Sequence, residues 1–206
     1  MKIMHRVLGM VETNCYLIIN EERKESILID PADEPLEIIK MIEESKSNLK
    51  AIFLTHGHFD HVMALETVAE KYQVSVYAHE LEKEILENPD FNLSSRWMAP
   101  LSKSADCYLK DREKISLAGF EVEVIHTPGH TQGSVCYYFE KDKVLISGDT
   151  LFALSVGRCD YPTGNAGQLQ KSIQGLFAKL PEQVKVYPGH MQETSIGYEM
   201  RYNPCV

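Results

Sequence analysis

Between positions 55 and 61 the chain reads Thr-His-Gly-His-Phe-Asp-His, which sets His56, His58, Asp60 and His61 within six positions. Imidazole nitrogens and a carboxylate together are ligands for zinc, and for iron or manganese of similar size. The segment follows AIFLT at 51–55, a short apolar run of the kind that forms a buried strand. Open α/β sheets build their sites in loops at the carboxyl ends of strands. In an extended turn His56 and His58 fall on the same side, with Gly57 allowing close backbone approach. Asp60 and His61, entering a helix, face a second point nearby.

Three other strand ends each carry one candidate ligand: His130 in HTPGHT, Asp149 in SGDT and His190 in YPGH. A glycine precedes each, so the backbone can turn sharply and aim the side chain inward. Seven candidates exceed the needs of one tetrahedral zinc and suit two metals sharing a bridging carboxylate. His126 reads as a neighbour of the site, because a strand end of this kind aims one histidine at a metal. His5 and His79 read as ordinary histidines, and Cys159 as a plain free thiol. Arg158 and Tyr161 share its loop and are candidates for gripping an anionic substrate through a guanidinium fork and a phenol. Trp97 and Met98 read as packing residues, with a pocket wall as the alternative, and the acidic run at 79–87 as a solvated helix face.

The elements that position these groups follow from periodicity. Residues 14–20 and 26–30 read as two strands parted by a charged turn. A helix begins at Pro35 with Asp33 as its cap. Val62, Leu65, Val68, Ala69 and Tyr72 form one amphipathic helical stripe. Strands are expected at 74–78, 120–126, 134–139, 143–147 and 184–187, and helices at 79–88 and 166–180; 89–110 reads as irregular. The pattern gives one domain over 1–206, with strands and helices alternating in two similar halves.

With 44% hydrophobic and 25% charged residues among 206, the composition excludes a disordered, collagenous or disulfide-stapled chain. The 21 Lys and Arg against 30 Asp and Glu give a net charge of −9, which opposes attraction to nucleic acid. No apolar run approaches the roughly 20 residues that span a bilayer. The N-terminal stretch lacks a signal-peptide core, and five scattered cysteines without a CxxC pair suit reduced thiols. A cytoplasmic protein acting on a small molecule, with no nucleic-acid or membrane partner, is the expectation.

From TNCYLI and ILIDPA through THGHFDH, HTPGHTQGS and SGDTLF to the closing YPGH, the chain resembles the metallo-β-lactamase-fold hydrolase superfamily. The resemblance implies an α/β fold, a four-layer αββα sandwich with its site at the rim between two sheets. It implies that His56, His58 and His130 hold a first metal, Asp60, His61 and His190 a second, and that Asp149 bridges both. HTPGHTQGS and GDTLF followed by SVGR are most similar to the glyoxalase II-like (hydroxyacylglutathione hydrolase-like) branch. Typical members of that branch add a helical domain with basic glutathione contacts, whereas this chain ends 16 residues after His190. The loop ALSVGRCDYPTGN also differs from theirs.

The implied activity is hydrolysis of small thioesters such as S-acylglutathione, by metal-activated hydroxide attacking the carbonyl while Asp60 orients the nucleophile. Two divalent ions are implied, foremost Zn2+, with Fe or Mn as alternatives. The alternative functions are a mononuclear-iron persulfide dioxygenase, and a lactone or phosphodiester hydrolase using the same ligands.

Overall fold

The computed structural model describes all 206 residues. Its first sheet has the order β1 (Lys2–Leu8), β2 (Thr13–Asn20), β3 (Glu25–Ile29), β4 (Asn48–Phe53), β5 (Ser75–His79) and β6 (Cys107–Leu109). The first three strands pair antiparallel and β3 to β6 pair parallel. Helices α1 (Pro35–Ser45), α2 (Phe59–Val62), α3 (Leu65–Tyr72), α4 (Lys83–Glu87) and α5 (Ser94–Trp97) lie between these strands in the chain.

The second sheet is built from β7 (Lys114–Leu117), β8 (Phe120–His126), β9 (Val135–Phe139) and β10 (Val144–Gly148). After a short ribbon of β11 (Leu151–Phe152) and β12 (Ser155–Val156) comes α6 (Ala166–Lys179). Then β13 (Lys185–Pro188) and β14 (Thr194–Ser195) complete the sheet, and α7 (Ile196–Tyr202) follows.

Alternation along single strands explains why these sheets stack. Strand β2 sends Cys15, Leu17 and Ile19 into one core cluster and Tyr16 and Ile18 into another. A strand apolar on both faces must be covered on both faces. The outer cluster includes Ile38, Met41 and Ile42 of α1 and Leu65 and Val68 of α3. The middle cluster joins Ile27, Ile29 and Phe53 of the first sheet to Val122, Val124, Tyr137 and Phe139 of the second. Strand β9 alternates likewise, turning Cys136 and Tyr138 outward onto Leu169, Ile173 and Leu176 of α6. Helix, sheet, sheet and helix thus form four layers around three apolar seams, the αββα sandwich.

The middle seam reaches the strand ends that matter for chemistry. Phe53 and Tyr137 pack across the two sheets with ring centroids 4.9 Å apart. The buried Tyr137 hydroxyl donates to the Leu54 carbonyl at 2.7 Å, fixing the chain two residues before His56. No helix is long and apolar enough to cross a membrane.

Some local expectations are corrected. Asp33 does not cap α1; its carboxylate accepts the Glu34 N–H at 2.6 Å, and Glu34, in the left-handed region, occupies the cap position. The single stripe from Val62 to Tyr72 is two helices. The Met63 and Ala64 amides turn away to the Ala32 and Pro31 carbonyls at 2.8 and 3.1 Å, which interrupts the helical ladder. Residues 89–110 contain α5 and β6.

Candidate metal centre

Four segments, following β4, β8, β10 and β13, bring all seven candidate ligands to one edge of the sandwich. Their ligating atoms form overlapping groups: His56, His58 and His130; His56, His61 and Asp149; Asp60, His61 and His190. Within each group these atoms lie within 4.8 Å of one another. His58 Nδ1 is 2.9 Å from His130 Nε2. His190 Nε2 is 3.4 Å from Asp60 Oδ2. Asp149 stands between the two sides: Oδ2 is 3.5 Å from both His130 Nε2 and His190 Nε2, and Oδ1 is 3.4 Å from His61 Nε2.

Close backbone packing makes this convergence possible. Gly148 has φ +48°, and a Cβ there would fall 2.4 Å from Thr55 Oγ1. A Cβ on Gly189 would fall 2.2 Å from Asp149 Oδ1. Both positions therefore require glycine.

Hydrogen bonds on the far side of the His56, His61 and His130 rings set which nitrogen is free. Asp30, buried, accepts the Thr55 amide and hydroxyl at 2.7 Å each and His61 Nδ1–H at 2.9 Å. With its own proton given to Asp30, the Thr55 hydroxyl accepts from His56 Nδ1 at 3.1 Å. His130 Nδ1 donates to the Arg158 carbonyl at 2.7 Å. The Nε2 atoms of His56 and His61, with Asp149 Oδ1, are left buried with no hydrogen-bond partner. Each orphaned buried polar atom costs about 1–3 kcal/mol, a cost that a cation at the convergence point removes. The donor set fits divalent metal.

The electrostatics agree. Burial and the neighbouring imidazoles push His56 well down and His58 down to about 3, so both rings stay neutral. Burial opposes charge on Asp60 and Asp149, but the facing histidines, His61 foremost, hold both carboxyls well below their usual range. Burial likewise opposes charge on His190, yet Asp149 and Asp60 carry it up to about 10. A divalent ion would replace that proton as the partner of the two carboxylates.

Several supporting residues escaped the sequence. Asp30 is one, although it sits at the strand-end motif ILIDPA. The buried Thr13 hydroxyl donates to Asp60 Oδ2 at 2.8 Å. Asn14 Nδ2 donates to the Pro188 and Met191 carbonyls at 2.9 Å, and Tyr16 OH to Pro188 at 2.7 Å, pinning the His190 turn. The acidic run at 79–87 is not all solvated, since Glu82 is fully buried. It accepts Gly57 N–H at 2.7 Å, Gly133 N–H at 3.1 Å and the Thr131 hydroxyl. Burial raises its pKa to about 7 against the pull of those three donors. Glu82 thereby ties the His56–His58 turn to the loop carrying His130.

His126 stays out of the cluster, stacked on His79 at 4.3 Å and bonded to the Gln132 carbonyl at 2.9 Å. Cys159 lies against the α6 cluster with Sγ bonded to the Gly157 carbonyl at 3.6 Å. Arg158 and Tyr161 do line the cavity above the cluster, which measures about 510 Å³. Asp160 pairs with one edge of the Arg158 guanidinium, at 2.9 Å to Nε and 2.6 Å to Nη2. Trp97 is also corrected, being an exposed wall of this cavity and not a packing residue.

Residues 8–190 match the profile of the Metallo-beta-lactamase superfamily. The hydroxyacylglutathione hydrolase GloC of Haemophilus influenzae is 36% identical, the match covering 94% of this chain and 92% of GloC. The crystal structure of BLEG-1, a B3 metallo-beta-lactamase, superposes with a TM-score of 0.94 at 38% identity, covering 98% of each chain. That of TTHA1623 in a di-iron-bound form gives 0.88 at 32% identity, covering 98% of this chain and all of the other. The chain belongs to the metallo-beta-lactamase superfamily.

Proposed function

We propose that the protein is a dinuclear metal-dependent hydrolase of small thioesters, acting in the cytoplasm. The observation that carries this reading is Asp149, whose two oxygens face histidines on both sides of the cluster at 3.4–3.5 Å. His56, His58 and His130 would hold one ion, Asp60, His61 and His190 the other, with Asp149 shared. Such a pair supplies Lewis acidity and lowers the pKa of water from 15.7 to about 7. Asp60, kept ionised and fixed by Thr13, would orient the attacking water. A thiolate, with a parent pKa of about 8.5, leaves without a proton donor. The non-ligand residues lining the cavity offer no carboxylic acid to protonate an amine leaving group. Similarity to GloC supports the thioester class, and five unpaired cysteines support a reducing compartment.

One alternative on the same ligands is a single-iron enzyme that oxidises a persulfide with O2; the di-iron form of TTHA1623 supports iron as a metal for such a site, with two ions rather than one. Thiol release from S-lactoylglutathione by metal-loaded protein, abolished by chelation and restored by divalent ion, is the expected result. No thiol release, with O2 uptake on addition of a persulfide, overturns the hydrolase in favour of the alternative.

A further inference from the structure

The cavity over the cluster has a wall chemistry that narrows the substrate. Three large apolar side chains from three separate segments stand exposed around it: Met10 in the β1–β2 turn at 73%, Trp97 of α5 at 58%, and Met191 after β13 at 56%. Val11 and Phe152 extend the same apolar lining. Apolar groups gathered on one concavity mark a binding surface, whereas scattered ones do not. Methionines on two sides can conform to chains of different shape.

Charge is scarce on this wall. Apart from the candidate ligands, Arg158 is the one charged residue lining the cavity. Asp160 pairs with its Nε and Nη2, offsetting its charge, and the guanidinium lies 4.4 Å over the Tyr161 ring. A glutathione carrier brings two carboxylates and an ammonium, for which this lining offers no second cation and no carboxylate apart from the candidate ligands. The floor of the same cavity is formed by His58, Asp60, His130, Asp149 and His190. A carbonyl placed there has the apolar wall beside it.

Resting on the thioester reading, we infer that the cavity selects substrates by an apolar acyl chain and leaves the thiol carrier ungripped. Turnover should follow acyl length, at about two- to fourfold per methylene buried against Trp97, Met10 and Met191.

The test uses the full chain loaded with divalent metal. S-acyl thioesters of N-acetylcysteamine and of glutathione, from acetyl to octanoyl, are compared by kcat/KM. The expected result is a rise of at least about tenfold from butanoyl to octanoyl on both carriers, with matched carriers within about threefold. A flat length dependence, or a preference above tenfold for the glutathione carrier, overturns the inference. A second measurement separates this from the hydrolase reading. Neutral 2-alkanones, which cannot be hydrolysed, are titrated against the fluorescence of Trp97, the single tryptophan. Tightening by about two- to fourfold per methylene supports apolar selection even where no thioester is cleaved, and equal affinity along the series overturns it. Trp97→Ala, followed by calorimetry, should flatten the slope. Met10→Ser, at an exposed turn, should do so in part, and serves alone where Trp97→Ala does not fold.

Discussion

Asp30 and His61 are joined by a buried bond of 2.9 Å from Nδ1 to Oδ2, and the same carboxylate oxygen accepts the Thr55 hydroxyl that supports His56. One carboxylate therefore sets the free nitrogen of a histidine on each side of the cluster. Partners behind metal ligands are worth about 10–100-fold in metal affinity or activity. Asp30→Asn should lower divalent-ion affinity by that factor while the far-UV circular dichroism stays native. Wild-type affinity in a competition titration with a chelating dye would count against the assignment.

Asp149 faces both halves of the cluster. Asp149→Ala is expected to abolish thioester cleavage and reduce bound metal without unfolding the chain. Full activity in a variant that retains its metal would falsify the bridging role.

Glu82 cross-links the His56–His58 turn to the His130 loop through three donors. Glu82→Ala leaves the Gly57 and Gly133 amides buried without an acceptor, at about 1–3 kcal/mol each, while the Thr131 hydroxyl keeps Ser134 Oγ as a partner at 2.7 Å. Urea denaturation should show a lower midpoint with an unchanged slope. A change below about 0.5 kcal/mol would mean that water or a rearranged loop satisfies those donors.

His79 gives a pH dependence with a defined sign. Burial, then the stacked His126, lowers it from 6.5 to about 4. Between those values the unfolded chain binds the extra proton, so His79 contributes stability at neutral pH that is lost as pH falls from 6.5 towards 4. His79→Phe keeps a ring against His126 and removes the titration. The variant should lose less stability than wild type between pH 7.5 and pH 5 in urea melts. An equal loss would show that other groups carry the effect.

The ligands were legible because a metal site concentrates rare side chains at strand ends, as in THGHFDH and YPGH. The central strands were legible because burial on both faces leaves unbroken apolar runs such as CYLII. Edge strand β1, half exposed, and the short β6, β7 and α7 lack such runs, and tertiary pairing alone defines them. Glu82 and Thr131 are 49 positions apart and Asp30 and His61 are 31 apart, so no local period announces their bonds. In a run of acidic residues, Glu82 carries no mark of burial until the fold folds Thr131 and Gly57 onto it. The pair between Arg158 and Asp160, two positions on, has no mark in the sequence because the loop around it sets the conformation that forms it.

The most direct test of the dinuclear centre is elemental analysis of protein purified without oxygen or chelator, with thiol release from S-lactoylglutathione measured on the same sample. Close to two divalent ions per chain, with turnover proportional to the second ion bound, is the predicted result. A single iron per chain, with no thiol released and O2 consumed on a persulfide, would contradict it.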